Sequence, residues 1–201
     1  MTSLRTLALS AVGATLLLTS CLSDGQTMKA PTPEQKAAFV SVTTLPPALG
    51  EGGDEGTAMS VTGPWVNGTA IDARYTCDSV GISPQLAWTN GPAETKAYGI
   101  VLRDNDAPNF VHWVLANINS TERTIGEGAL PQGAFMAING SGKQSYAPPC
   151  PPAGSSHSFT VTVYALGSLV VVDNSTSAAQ VVADMEASVL EVATTDFVYS
   201  R

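Results

Sequence analysis

Hydrophobic and polar positions fall into three regimes along the chain. The first twenty residues carry one charge, Arg5, followed by an apolar run from Leu7 to Leu18. Residues 22–57 show no period. Pro31, Pro33, Pro46, Pro47, Gly50, Gly52, Gly53 and Gly56 interrupt them, and only Ala37–Leu45 has the character of one short strand. From about Met59 the pattern changes to short apolar or alternating runs bounded by Gly, Pro, Asn and Asp. Runs of that kind, rich in β-branched and aromatic residues, are strand signals. They predict strands over Ala97–Arg103, Val111–Ile118 and Ser158–Leu166, with weaker ones at Ala58–Val61 and Phe197–Tyr199. Late in the chain Ser177-Ala-Ala-Gln180 fits a capping box. Ala178, Val181, Val182, Met185 and Val189 follow it at 3.6-residue spacing, which predicts a helix packed on a sheet.

Composition narrows the function classes. The chain has 201 residues, 44% of them hydrophobic, so intrinsic disorder throughout is excluded. Seventeen acids against nine bases give a net charge of −8. Phosphate-tracking proteins need a clustered basic surface, so no nucleic-acid partner is expected. Histidine occurs twice and cysteine three times in the whole chain.

The amino terminus reads as a secretory address, with a charged start, a short apolar core and small residues at a cleavage point. The apolar run is too short for a comfortable membrane span. Leu18-Thr-Ser-Cys21 resembles the lipobox of bacterial lipoproteins. The resemblance implies a signal peptide over 1–20, cut before an acylated Cys21. The mature protein would then be anchored in the cell envelope by lipid alone, outside the cytoplasm. Removing residues 1–20 leaves eight bases against seventeen acids, a charge of −9. Residues 21–57 would form a flexible tether with a reach of about 30–35 Å. Cys77 and Cys150 are then an even pair in an oxidising compartment, open to a disulfide or to two reduced thiols.

Familiar catalytic motifs fail on inspection. Gly140-Ser-Gly-Lys-Gln144 lacks the leading glycine and the Ser/Thr of a phosphate loop. No G-x-S-x-G elbow surrounds Ser141, and no HExxH or paired CxxC exists. No cofactor and no metal are therefore expected, although both histidines and two aspartates are of a ligand type that suits zinc or copper. What remains are polar residues beside strand ends. Asp104-Asn-Asp-Ala-Pro108 ends one strand, His112-Trp113 opens the next, and Pro149-Cys-Pro-Pro-Ala-Gly154 with His157 precedes the third. Strand-end loops are where β scaffolds present binding groups.

Taken in order, the sequence resembles the phosphatidylethanolamine-binding protein family, in its bacterial Raf-kinase-inhibitor-like branch. The motifs are Tyr75-Thr-Cys-Asp78, Ile82-Ser-Pro-Gln-Leu-Ala-Trp88, Asp104-x-Asp-Ala-Pro108, Val111-His-Trp-Val-Leu115, Pro149-Cys-Pro-Pro-x-Gly154-x-x-His157, Tyr164-Ala-Leu166 and the ending Phe197-Val-Tyr-Ser-Arg201. The resemblance covers about residues 58–201. It implies an all-β fold of two packed antiparallel sheets with one or two peripheral helices. It also implies a small anion-binding pocket formed by Asp104, Asp106, Pro108, His112, Cys150, Pro152 and His157. Three departures bear on the ligand. Ser158-Phe159 stands where the family has Arg-Tyr, Asn105 replaces a proline, and Ala147-Pro148 replaces a Gly-Gly pair.

In chemical terms His112 and His157 can donate to a phosphate or carboxylate. Asp104 and Asp106 would orient the histidines and raise their pKa, or accept from an ammonium group. The bland alternative is that the aspartates only cap a turn. The expected function is a binding module holding a small anionic or phosphorylated ligand, with a regulatory role. The family also includes kinase-pathway regulators and protease inhibitors, so the alternative is a protein partner and a vestigial pocket. A hydrolase using a histidine base is a third reading. Without an activated nucleophile or an oxyanion motif, the chain reads as a non-enzyme.

Overall fold

The computed structural model describes residues 58–201. The expected signal segment, Cys21, the expected tether and the strand expected at Ala37–Leu45 lie outside the described residues. Among the described residues nine strands occur in chain order: β1 Val61–Thr62, β2 Thr69–Ala70, β3 Leu86–Trp88, β4 Ala97–Asp104, β5 Val111–Asn119, β6 Thr124–Ile125, β7 Phe135–Met136, β8 Ser156–Leu166 and β9 Val189–Ser200. A 3-10 turn spans Ala73–Tyr75, and among the described residues one α-helix, α1, spans Ala178–Ala187. The strands make a small sheet, β1-β3-β6, and a large one, β2-β9-β8-β4-β5-β7. Pairing is antiparallel except at one edge, where β2 runs parallel to β9. The expected all-β architecture of two antiparallel sheets is found, with this one short parallel pair at an edge.

Period-2 alternation sorts the large sheet into two faces. Tyr98, Ile100 and Leu102 of β4 face the small sheet together with Phe159, Val161 and Val163 of β8 and Phe197 of β9. Ala97, Val101, Val114 and Leu166 face the other way, onto Val181, Val182 and Met185 of α1. β4 and β5 are thus covered on both sides, which explains their nearly continuous apolar runs. Gly99 makes the helix contact possible, since a Cβ there would lie 2.2 Å from Met185 Sδ.

The helix begins where expected. Ser177 Oγ accepts from the Gln180 N–H at 3.2 Å. Only half of the capping box forms, because the Gln180 amide donates to Asp184 Oδ1 instead. Val189 does not belong to the helical stripe. It opens β9 opposite Leu166, because the helix stops at Ser188 and that residue's carbonyl takes the Gly167 N–H. β9 is also far longer than the expected Phe197–Tyr199. Its inward positions include Thr195 as well as Ala193, Phe197 and Tyr199, which blurs the apolar alternation.

Candidate functional site

The inward-facing positions at one end of the large sheet carry the chemistry. Asp104 lies two residues beyond Leu102 on β4 and opposite Phe159 of β8. His157 precedes Phe159 by two, so it shares that face, and it pairs with Tyr199 of β9. His112 arrives by a different route. Leu102 pairs with Trp113 but Arg103 pairs with Val111, so His112 is an extra residue in β5. A bulge of this kind re-aims a side chain. Here it turns two consecutive residues, His112 and Trp113, toward the same interior. Phe159, fully buried, forms the floor between the imidazoles, with ring centroids 5.4 Å from His112 and 6.3 Å from His157.

Each imidazole is held by one nitrogen. His112 Nδ1 lies 2.8 Å from the Ala147 carbonyl. A carbonyl only accepts, so Nδ1 carries the proton and the neutral ring presents a bare Nε2 lone pair. His157 Nδ1 lies 2.6 Å from Asp104 Oδ2, which orients that ring in the same sense. Among the described residues neither Nε2 has a hydrogen-bond partner. His112 is buried, and that burial pushes its pKa below the ordinary imidazole value. The nearby Asp104 charge raises the His112 pKa, as expected of an aspartate there, but lost hydration outweighs it and the net shift is downward.

The two aspartates have separate tasks. Asp104 is 6% exposed, and its Oδ1 accepts from the Asp106 and Ala107 N–H groups at 2.9 and 3.2 Å. It therefore caps the turn and aims His157 at once. Asp106 is exposed, and its Oδ2 accepts from the Ser158 N–H and hydroxyl. The Ser158 N–H, ahead of the hydroxyl bond, holds this carboxyl below its usual range. Asp104, Asp106 and His157 bring potential ligand atoms within 4.8 Å of one another. A cation drawing on the His157 nitrogen and Asp104 oxygens already paired would have to break bonds that organise the turn.

The remaining predicted residues frame the site. Pro108 and Pro152 are exposed at turns, where the Ala107 carbonyl accepts from Phe110 and the Pro152 carbonyl accepts from Ser155. Cys150 is bonded to Cys77, with 5.4 Å between Cα atoms, so it carries no free thiol. The disulfide joins the turn after Tyr75 to the loop before His157. Two further bonds support the same junction, Tyr146 hydroxyl to Tyr75 carbonyl at 2.8 Å and Cys77 N–H to Pro149 carbonyl at 3.1 Å.

Four residues of the site were not among the candidates. Ala147 contributes only a backbone carbonyl, which no side-chain motif announces. Asp78, Tyr199 and Arg201 form a chain in which Asp78 accepts from the Tyr199 hydroxyl at 2.5 Å and from Arg201 Nε at 2.9 Å. Those two bonds, the tyrosine's first, hold the Asp78 carboxyl below its usual range. Their signal was in plain view, in the Tyr75–Asp78 motif and the Phe197–Arg201 ending.

A family model described as phosphatidylethanolamine-binding protein matches residues 62–200. The chain belongs to this family. A UPF0098 protein of Methanothermobacter thermautotrophicus is 38% identical over 138 residues, covering 65% of this chain and 91% of that protein. A Mycobacterium tuberculosis relative that carries a provisional lipoprotein name, LppC, is 30% identical over 146 residues, covering 71% of this chain and 69% of its own length. Among solved structures, Escherichia coli YbcL, described as a member of the mammalian family, superposes with a TM-score of 0.68 at 26% identity. The match covers 72% of this chain and 99% of YbcL. A Chlamydia trachomatis family homologue, CT736, gives 0.66 at 28%, over 72% of this chain and 98% of CT736. Two sheets and a single helix among the described residues agree with these neighbours. No helix of the described residues is long and apolar enough to cross a membrane.

Proposed function

We propose that this family member is a lipid-anchored envelope protein that binds a small phosphorylated or anionic group between His112 and His157. The observation that carries the reading is the pair of imidazoles with Nδ1 spent on the protein and Nε2 left for a ligand. The two nitrogens ask for different things. His112, held neutral by burial, accepts a hydrogen bond, for example from a P–OH group. His157 donates from Nε2 once it carries both protons. A hydrogen phosphate or phosphomonoester supplies both complements. The free oxygen of Asp106 stands ready for an ammonium group on the same ligand. Anchoring rests on the lipobox resemblance and on the lipoprotein name of the mycobacterial relative.

The test is an NMR titration of the full chain, following the His112 and His157 ring signals with inorganic phosphate and phosphoethanolamine. Saturable shifts at both rings are expected. Their absence sinks the reading. The second reading, a protein-interaction or inhibitor module with a vestigial pocket, is favoured by Phe159, which is fully buried and stacked on Phe197 at 5.1 Å. A protein partner captured from envelope extract, and still captured by the His112→Ala, His157→Ala double variant, would favour it. Among the described residues no serine hydroxyl or cysteine thiol hydrogen-bonds either imidazole.

A further inference from the structure

The anion site poses a charge problem. At the position after the second histidine, where the resemblance leads one to expect arginine, stands Ser158. Its hydroxyl and N–H are directed to Asp106, so no cation enters there. Asp78, Asp104 and Asp106 together would repel an anion, and His112 is held neutral.

We infer that Arg201 supplies the missing cation and is a ligand-binding residue of this site. The inference rests on the functional reading above and deepens it. The argument begins with register. Phe197 and Tyr199 face inward on β9, opposite Phe159 and His157 of β8. Arg201 continues that alternation one step past the strand end, so it projects on the side of the two histidines. Its backbone is fixed there on both sides. The Arg201 N–H donates to the Ser155 carbonyl at 3.0 Å, and its own carbonyl accepts from Gly154 at 2.7 Å. The guanidinium lies over the disulfide loop, with Nη1 3.6 Å from Cys150 Sγ. Among the described residues it is the one base whose side chain makes a hydrogen bond or ion pair to these loops. Arg74 is spent on Glu127, Arg103 on Glu186 and Arg123 on Asn90.

The guanidinium is positioned without being used up. Asp78 takes only Nε, at 2.9 Å to Oδ1 and 3.2 Å to Oδ2. The two terminal nitrogens, which form the fork that grips a phosphate, keep donors to spare. Asp78 is itself steadied by the Tyr199 hydroxyl, and Tyr199 stands opposite His157. The chain Tyr199–Asp78–Arg201 therefore ties the cation to the same strand register that sets the imidazole.

The experiment compares phosphate affinity, read from the His112 and His157 ring signals of the full chain, in wild type, R201Q, R201K and D78N. Losing a charged donor should weaken binding about tenfold or more in R201Q. R201K keeps the charge without the fork and should fall between R201Q and wild type. D78N keeps the acceptor geometry but removes the competing counter-ion, so binding should tighten at least about twofold. Because Asp78 also repels the anion directly, a D78N gain that is smaller in the R201Q background supports the inference, and one equally large in both backgrounds counts against it. If the wild type shows no phosphate response, the functional reading fails and this inference with it. If the wild type binds and R201Q binds within twofold of it, this inference alone is overturned. Should R201Q not fold, as judged by near-UV circular dichroism, D78N decides. An affinity equal to or below wild type then overturns the inference.

Discussion

Replacing Asp104 by Asn tests the site at its most constrained point. The side chain is 6% exposed and serves three donors, two backbone N–H groups on Oδ1 and His157 Nδ1 on Oδ2. The asparagine oxygen must stay with the backbone donors, because no NH2 group can accept from them. The amide NH2 then faces His157 and donates to Nδ1. The neutral imidazole is forced into the opposite tautomer, with its proton on Nε2. Nε2 can now donate to an anion without gaining a second proton. In the wild type Nε2 of His157 donates only from the doubly protonated ring, so phosphate affinity should be higher at acid than at alkaline pH. The variant's dependence should be flatter.

The magnitude follows from the geometry. A 2.6 Å bond to Nδ1, the width of the ring and a further hydrogen bond place the Asp104 charge roughly 7 Å from a bound anion. Removing that charge relieves about 0.6 kcal/mol of repulsion in water-like surroundings and about 2.4 kcal/mol at an effective dielectric of 20. At pH 8 the variant should therefore bind phosphate between about threefold and fiftyfold more tightly than wild type. The fold loses a charge-assisted bond, a cost of about 1.5–3 kcal/mol, which shifts a urea midpoint by roughly 1 M. The assay is a phosphate titration at pH 5.5 and 8, with imidazole 15N shifts to assign the tautomer. Weaker binding at both pH values, or a proton still on Nδ1, would refute the reasoning.

Three further expectations are simpler to state. Replacing Cys77 and Cys150 together by serine removes a cross-link between residues 73 apart in sequence. It should cost about 4 kcal/mol of unfolding free energy, and a loss under about 1 kcal/mol would rule out the chain-entropy account. His112 has its pKa lowered by burial, so the unfolded chain binds a proton more readily than the folded one. Its contribution is intact above the unfolded value and lost as pH falls below it, at up to about 1.4 kcal/mol per unit of depression. His112→Asn, whose amide replaces the Nδ1 donor, should flatten that acid loss in urea melts at pH 7.5 and 5. Finally, Gly99→Ala drives a Cβ into Met185 and should destabilise by about 1–3 kcal/mol. Met185→Ala in the same chain should recover part of that loss, and strict additivity of the two changes would contradict the clash.

Much of the architecture was legible because burial leaves a periodic mark. β4, β5 and β8 are covered on one or both faces, and their apolar runs located them to within two residues. β2, β6 and β7 have two residues each, too few for a period to exist. β9 was missed over most of its length because Thr194, Thr195 and Asp196 interrupt the pattern. Two of them are engaged locally, since the Thr195 hydroxyl and the Asp196 N–H both donate to Asn67 Oδ1 and the Asp196 carboxylate accepts from Thr160. The site residues were named from motifs, but their division of labour was not readable. Whether Asp104 or Asp106 aims a histidine depends on register across β4 and β8. The orientation of His112 depends on a backbone carbonyl thirty-five residues away.

The departures from the family pattern become intelligible once they are seen as one exchange. Asn105 stands where a proline is usual, and its N–H donates to the Ser158 carbonyl at 2.9 Å, a bond that proline cannot make. Its side chain reaches Thr160 at 3.0 Å. Ser158, where arginine is usual, turns its N–H and hydroxyl to Asp106. The turn that proline would stiffen through its ring is stiffened here by hydrogen bonds between neighbouring loops. The exchange keeps Asp104, and through it His157, in place while giving up the cation at position 158. Restoring that cation by Ser158→Arg would remove the hydroxyl bond to Asp106 and place a second guanidinium near the site. If Arg201 already supplies the charge, the added arginine should raise phosphate affinity in R201Q far more than in the wild type. Equal gains in the two backgrounds would mean that the two positions act independently.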